Sequence, residues 1–311
     1  MLADPATDPQ LAGRLRLARA QLDFAAAELG LSAGGSYREY AALGREFVVW
    51  NVFAAPEFSV EPERWCYPLV GCLAYRGHFD PAAAARDADR LRARGYDVHV
   101  GGVPAYSTLG WFDDPLLDTF LSWRADRLAE LLFHELAHRR LFVPGDTLFN
   151  ESFASAVAAA GVQRWLAQHD ADGQLRALHA AEEARWQALL DLLLALRQRL
   201  ATLYASTTDV ATLRPAKAAL LAQAEVDYAV LRAGWGNAAG FDAFLAGGLN
   251  NAKLNAVGLY HRLVPAFTRL LDRHGGELEP FYAAVEQLAG LPAAERRRRL
   301  EALAAEAGAS R

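Results

Sequence analysis

The chain has 311 residues, 53% of them hydrophobic and 22% charged, with a net charge of −5. That is ample apolar material for a core, in two domains or one composite unit, and the absence of a basic domain argues against nucleic-acid binding. No apolar run approaches the roughly 18–20 residues of a membrane span, and the N-terminus lacks the charged start and apolar middle of a signal peptide. Met1, the only methionine, precedes an acidic, proline-containing helix entry and reads as an added start on a trimmed chain.

The Ala/Leu/Arg pattern predicts a helix over 9–31, stopped by Gly30 and Gly34-Gly35. A short helix is expected over Tyr37–Leu43. Phe47–Phe53 is β-branched and aromatic, hence a strand, and Leu69–Arg76 reads as another. Asp80 and Pro81 supply an N-cap and a first helical residue for a helix ending at Gly95. Tyr96–Val100 is a third strand and Val103–Phe112 a fourth extended piece. From Arg124 onward the period is helical. One helix covers 126–141, Pro144-Gly145-Asp146 breaks it, and a second carries Glu151 through Trp165. Segments 180–204 and 214–231 pair as a helical hairpin, read as a packing arm. Gly234–Asn251 is loop-rich, and helices follow over Leu254–Leu271 and Pro280–Leu288. The expected fold is α+β. Residues 1–123 form a small mixed α/β layer. Residues 124–311 form a mostly helical part with the hairpin at 180–231. The run Arg296–Arg299 reads as a solvated helix face.

Cys66 and Cys72 are too few for a four-cysteine zinc site, and their five-residue gap is not redox spacing. A small-loop disulfide in an oxidising compartment and two buried thiols both fit.

His134-Glu135-Leu136-Ala137-His138 is the stretch that carries chemistry. Histidines four apart share a helix face and can address one metal ion, while Glu135, about 100° round the helix, can hold a metal-activated water. Glu151, in Phe149-Asn150-Glu151-Ser152-Phe153-Ala154, offers the third ligand of a His₂Glu site. A chance match on an ordinary helix is the bland alternative. Against it stand the apolar flanks (Leu131, Leu132, Phe133), the intervening Pro-Gly-Asp reversal and the 13-residue step from His138 to Glu151. His78, His99, His169, His179 and His274 have no partner spacing and read as structural or surface residues.

Several stretches together resemble a bacterial "putative aminopeptidase" family, with a gluzincin-type pair of motifs. They are Val48–Glu57, Gly101–Pro115, Phe133–His138, Phe149–Ala154 and Asn250–Leu254 with Tyr260, spread over about residues 5 to 290. The resemblance implies that His134, His138 and Glu151 bind Zn²⁺ with a fourth position for water, and that Glu135 is the general base. It implies a second electrophile, for which Tyr260 is the first candidate, with His261 beside it and Tyr106 as an outsider. The segment Tyr106–Phe112, including Tyr106 and Ser107, falls where gluzincins place a substrate-aligning edge strand next to the site. Asn150 is expected to orient the site, or else to cap or brace its helix. Asn250 and Asn251 would cap the helix of Tyr260 or hold substrate backbone. Family members are typically exported, often behind a lipid-anchored N-terminus. That implies a periplasmic or envelope location, a peptide substrate and a Cys66–Cys72 bridge.

Two departures qualify the likeness. Gluzincins usually carry an acidic residue one or two turns beyond the ligand Glu, where this chain has Ser155 and Ala158. An aminopeptidase also needs an anion for the substrate's α-amine, and Tyr106-Ser107-Thr108 offers none. Glu57, Asp113 and Asp114 are the remaining carboxylates to consider. An envelope endopeptidase and a metal-stabilised scaffold are therefore the alternatives, the second disfavoured by an intact Glu135.

Overall fold

A computed structural model describes residues 6–67, 71–105, 112–207 and 209–309, with the side chains of 259, 260, 308 and 309 outside the description. In chain order the elements are α1 (Pro9–Glu28), β1 (Tyr40–Ala41), β2 (Val49–Pro56), β3 (Trp65–Tyr67), β4 (Gly71–Leu73), β5 (Arg76–His78), α2 (Pro81–Ala93), β6 (Tyr96–Val103) and β7 (Leu116–Leu117). Helices follow: α3 (Asp118–Leu121), α4 (Ala125–Arg140), α5 (Thr147–His169), α6 (Gln174–Ser206), α7 (Val210–Gly234), α8 (Asp242–Leu245), α9 (Asn251–His261), α10 (Val264–Arg273), α11 (Leu278–Ala289) and α12 (Ala293–Ala309). The architecture is α+β, as expected: small sheets early, helices from residue 118 on.

Three expectations are corrected. Residues 37–43 are not a helix: Tyr37 has a positive φ of 63°, and Tyr40–Ala41 pairs in parallel with Leu116–Leu117. The helix expected over Leu254–Leu271 breaks after His261, and Pro265 starts a new one just inside α10, where it needs no amide donor. A further helix, α12, closes the chain, and Arg296 on it is buried, unlike the solvated face expected of its run. Its guanidinium donates twice to Asp146 Oδ2 (2.9 and 2.7 Å), reaches the carbonyls of Ala289 and Leu291, and lies over the Phe149 ring. Arg297, Arg298 and Arg299 are exposed.

The chain divides into two compact units. The first joins residues 1–48, 103–176 and 260–311. Its core is aromatic: Phe149 meets Phe267 at 5.2 Å between ring centres, and Phe153 meets Phe267, Phe281 and Tyr282 at 5.9, 6.1 and 6.2 Å. Each such ring, fully buried, contributes roughly 1.5–3 kcal/mol. Gly161 lets α5 approach its neighbours closely. A Cβ there would stand 2.7 Å from Leu29 Cδ1 and 2.8 Å from Phe133 Cδ2, so any larger residue would push α5 away from α4. Helix α1 braces the start of α4, with Gln21 Nε2 donating to the Ala125 carbonyl at 2.7 Å.

The second unit joins residues 49–102 and 177–259. Its sheet runs β5-β2-β6, β2 pairing antiparallel to β5 with Asn51 opposite Gly77. Helix α2 covers one face through Ala84, Ala88 and Leu91, packed on Val52, Ala54 and Val98. Helices α6 and α7 form the hairpin, burying Leu189, Leu193, Leu196 and Leu200 with Ala224 and Tyr228 in one cluster. Cys66 and Cys72 sit opposite each other in the β3–β4 hairpin and are joined by a disulfide.

Candidate metal centre

Helix α4 buries Leu128, Leu132 and Leu136 on one side, which fixes its rotation, with Ala129, Phe133 and Ala137 filling the adjoining face. Asp126, wholly buried, takes a two-pronged ion pair from Arg124 at 2.6 and 2.7 Å and anchors its first turn. The reversal after α4 is closed by Asn150. Its Oδ1 accepts from the Val143 amide and its Nδ2 donates to the Val143 carbonyl, both at 2.8 Å. Asp146 caps α5 through the Phe149 amide. Glu151 is thereby turned toward α4.

Three atoms then meet. His134 Nε2 lies 3.1 Å from His138 Nε2 and 3.2 Å from Glu151 Oε2, and the last two are 3.5 Å apart. No placement of protons satisfies all three edges of this triangle. With a proton on neither nitrogen every edge sets lone pair against lone pair. With one, the other nitrogen faces the carboxylate unshielded. With two, the nitrogens oppose donor to donor. A cation at the centre satisfies all three at once. Ligands about 2.0–2.1 Å from a tetrahedral zinc ion stand roughly 3.3 Å apart, so the donor set and its spacing fit that ion.

The electrostatics follow from burial and these neighbours. Burial pushes the Glu135 carboxyl up, opposed by His134 and His138 and reinforced by Glu151 and Asp114. Burial also works against the charged form of Glu151, but His138 and the hydrogen bonds from both histidines bring it down to about 2. His138 is lowered by burial and raised more by Glu151, ending above its ordinary value. His138 Nδ1 is sealed without a hydrogen-bond partner. An acidic residue one turn beyond Glu151 would be the usual kind of support for such a ring, and Ser155 stands there instead.

The other expected residues fall in different places. His261 lies in the field of the triangle: burial, then His134, holds its imidazole down at about 4, with Glu151 opposing. The α9–α10 junction is docked there by Leu263, whose amide donates to Ser152 Oγ at 3.3 Å, one residue after Glu151. Tyr260 is on α9, its side chain outside the description; Tyr106 and Ser107 lie outside the described residues, as does the expected edge strand over 106–112 except for the exposed Phe112. Asn250 and Asn251 belong to the second unit. Asn250 Oδ1 caps α9 at the Lys253 amide (2.9 Å), and its Nδ2 reaches the Val98 carbonyl. Asn251 is completely buried, its Nδ2 donating to the carbonyls of Pro56 and Glu57. Glu57 is held there by Arg214 at 2.7 and 2.9 Å. Sequence reasoning missed Tyr37, whose field includes Glu135 and Asp114. The Gly34-Gly35 signal beside it reads, in the sequence, only as a helix stop.

A family model described as "Putative aminopeptidase" matches residues 1–300 of the chain. No curated protein matches it, and no solved structure does.

Proposed function

The chain belongs to the "putative aminopeptidase" family, and from that premise we propose that it is a zinc-dependent peptidase of the gluzincin type. The observation that carries the proposal is the triangle of His134 Nε2, His138 Nε2 and Glu151 Oε2, with edges of 3.1 to 3.5 Å that suit a shared cation. His134, His138 and Glu151 would hold the ion. A zinc ion bound there supplies a Lewis acid that makes water nucleophilic near neutral pH.

Glu135 is one residue from His134 and outside the triangle, so its carboxylate is left to handle protons. Burial raises its proton affinity, which suits a group that accepts a proton from the attacking water and returns it to the departing amine. His261, held neutral by burial, offers a donor or an acceptor beside the triangle. The substrate is a peptide. The disulfide between Cys66 and Cys72 supports an oxidising compartment such as the periplasm or the cell envelope. No described helix is long and apolar enough to cross a membrane.

Cleavage from the amino end is the leading reading, from the family description. An endopeptidase is the second, because Glu57, one candidate anchor for a free α-amine, is already engaged by Arg214. The test is hydrolysis of one peptide with free and N-acetylated ends, by the wild type and by Glu135→Gln. The proposal expects zinc-dependent cleavage of the free peptide, and loss of about 10³-fold or more in Glu135→Gln with zinc still bound. Equal cleavage of both peptides would replace the aminopeptidase reading by the endopeptidase one. No zinc-dependent cleavage of either would refute both.

A further inference from the structure

Tyr37 is the only described residue other than glycine with a positive φ, 63°. In that left-handed conformation Cβ crowds the following carbonyl, so a bulky aromatic residue keeps it only where the surroundings over-determine the backbone. Here they do. Its amide donates to the Asp114 carbonyl at 2.6 Å, and the Asp114 amide donates back to Ser36 Oγ at 3.0 Å. Arg139 Nη1 donates to the same Ser36 hydroxyl at 2.8 Å. Three residues on, β1 begins its pairing with β7.

These contacts dock the corner onto one face of α4. Arg139 is four residues beyond Glu135, so the two share a helix face. Glycines allow the close approach. A Cβ at Gly34 would stand 2.8 Å from Arg139 Nη2, and one at Gly35 would overlap the Asp113 carboxylate. Tyr37, next to Ser36, is consequently 6% exposed, with Glu135, Asp114 and Arg139 as the charged groups around it. Burial, then Glu135 and Asp114, keep its phenol protonated well above the usual range. No hydrogen bond ties that hydroxyl to a described residue, yet the oxygen is not among the sealed polar atoms that lack partners.

We infer that Tyr37 is a substrate-contacting residue of the site, its hydroxyl donating a hydrogen bond to a main-chain carbonyl oxygen of a peptide held beside Glu135. The locked left-handed corner is what aims it. A tyrosine packed only for its ring would gain nothing from the strained backbone or from an unpartnered hydroxyl. The assignment rests on the metallopeptidase reading and places a donor on the Glu135 side of α4, on an element far in sequence from Tyr260.

The test compares wild type, Tyr37→Phe and Tyr260→Phe. The readouts are zinc content, melting temperature, kcat and KM on a peptide, and calorimetric affinity for a phosphinic pseudopeptide, an uncleavable tetrahedral mimic. Tyr37→Phe should keep its zinc and melting temperature, and lose about 10²-fold in kcat with a much smaller change in KM. Its affinity for the phosphinate should fall by about tenfold or more, the scale of one lost hydrogen bond to a charged group. Wild-type kcat and phosphinate affinity in Tyr37→Phe would overturn the assignment alone, most plainly if Tyr260→Phe carried the loss. A loss that tracks lower zinc content or melting temperature would make Tyr37 structural and overturn it too. A wild type that neither cleaves peptides nor binds the phosphinate would overturn the metallopeptidase reading, and this inference with it.

Discussion

In the second unit, Lys217 donates to Asp97 Oδ2 at 2.7 Å and to the Glu57 carbonyl at 2.8 Å. Asp97 Oδ2 also accepts from the Asn251 amide at 2.9 Å, and Asn251 Oδ1 accepts from the Tyr204 hydroxyl at 3.1 Å. Each of these donor groups has an acceptor, and no two of them oppose donor to donor or lone pair to lone pair. In the first unit, His134, His138 and Glu151 are equally close together, but no arrangement of their protons completes the set. Both clusters are polar and at least half-buried, so burial alone separates nothing. What distinguishes a brace from a binding site is whether its hydrogen bonds close. Buried polar groups are ordinarily satisfied, so a set that cannot be satisfied internally points to a ligand.

Breaking each cluster should give opposite phenotypes. Glu151→Gln keeps the shape of the triangle but removes the charge that holds a cation. It should bind zinc at least about 10-fold more weakly, and hydrolysis should fall with the metal, while thermal unfolding of the metal-free protein changes little. Titration with a zinc-buffered indicator measures it. Lys217→Met should do the reverse. It leaves Asp97 and the Glu57 carbonyl without their cation, costing about 3 kcal/mol in urea unfolding, and should leave zinc content per folded molecule unchanged. If Lys217→Met lost zinc at full stability, the division into brace and site would be wrong.

Smaller effects sharpen the same contrast. Reducing the Cys66–Cys72 disulfide opens a short loop and should lower stability by about 2 kcal/mol, read by denaturation with and without reductant, again without loss of metal. A pH-dependent effect concerns His99, stacked on Phe53 and edge-on to Phe244. Burial, then Lys253, lowers its pKa from 6.5 to about 4. The folded state therefore disfavours its proton. The stability this contributes is full above pH 6.5 and is lost as pH falls toward 4, because the unfolded chain takes up the proton first. His99→Gln should flatten that part of the stability–pH curve.

The legibility of the chain followed the range of the interactions. The His134–His138 spacing is a property of one helix, so it could be read directly. Glu151 needed only a reversal, and Pro144-Gly145-Asp146 announced it. Strands β2 and β6 showed in their β-branched and aromatic content, and α2 in Asp80-Pro81. Tyr37 could not be read that way. Its conformation is imposed by Asp114 and Arg139, residues far along the chain, and a tyrosine carries no mark of a left-handed backbone. Arg296 is hidden from the sequence for the same reason: a run of four arginines looks solvated, and only the return of α12 to Asp146 and Phe149 buries the first of them. Asn150 was recognised as a brace or an orienting group, and its two bonds to Val143 are what bring its neighbour Glu151 round.

The central claim is that the His134–His138–Glu151 triangle is a cation site. Anomalous diffraction above and below the zinc edge, from crystals of the wild-type protein grown with zinc, tests it most directly. The account predicts one strong peak bonded to His134 Nε2, His138 Nε2 and Glu151 Oε2 together. Density without a peak there, with the three atoms still 3.1 to 3.5 Å apart, would contradict it.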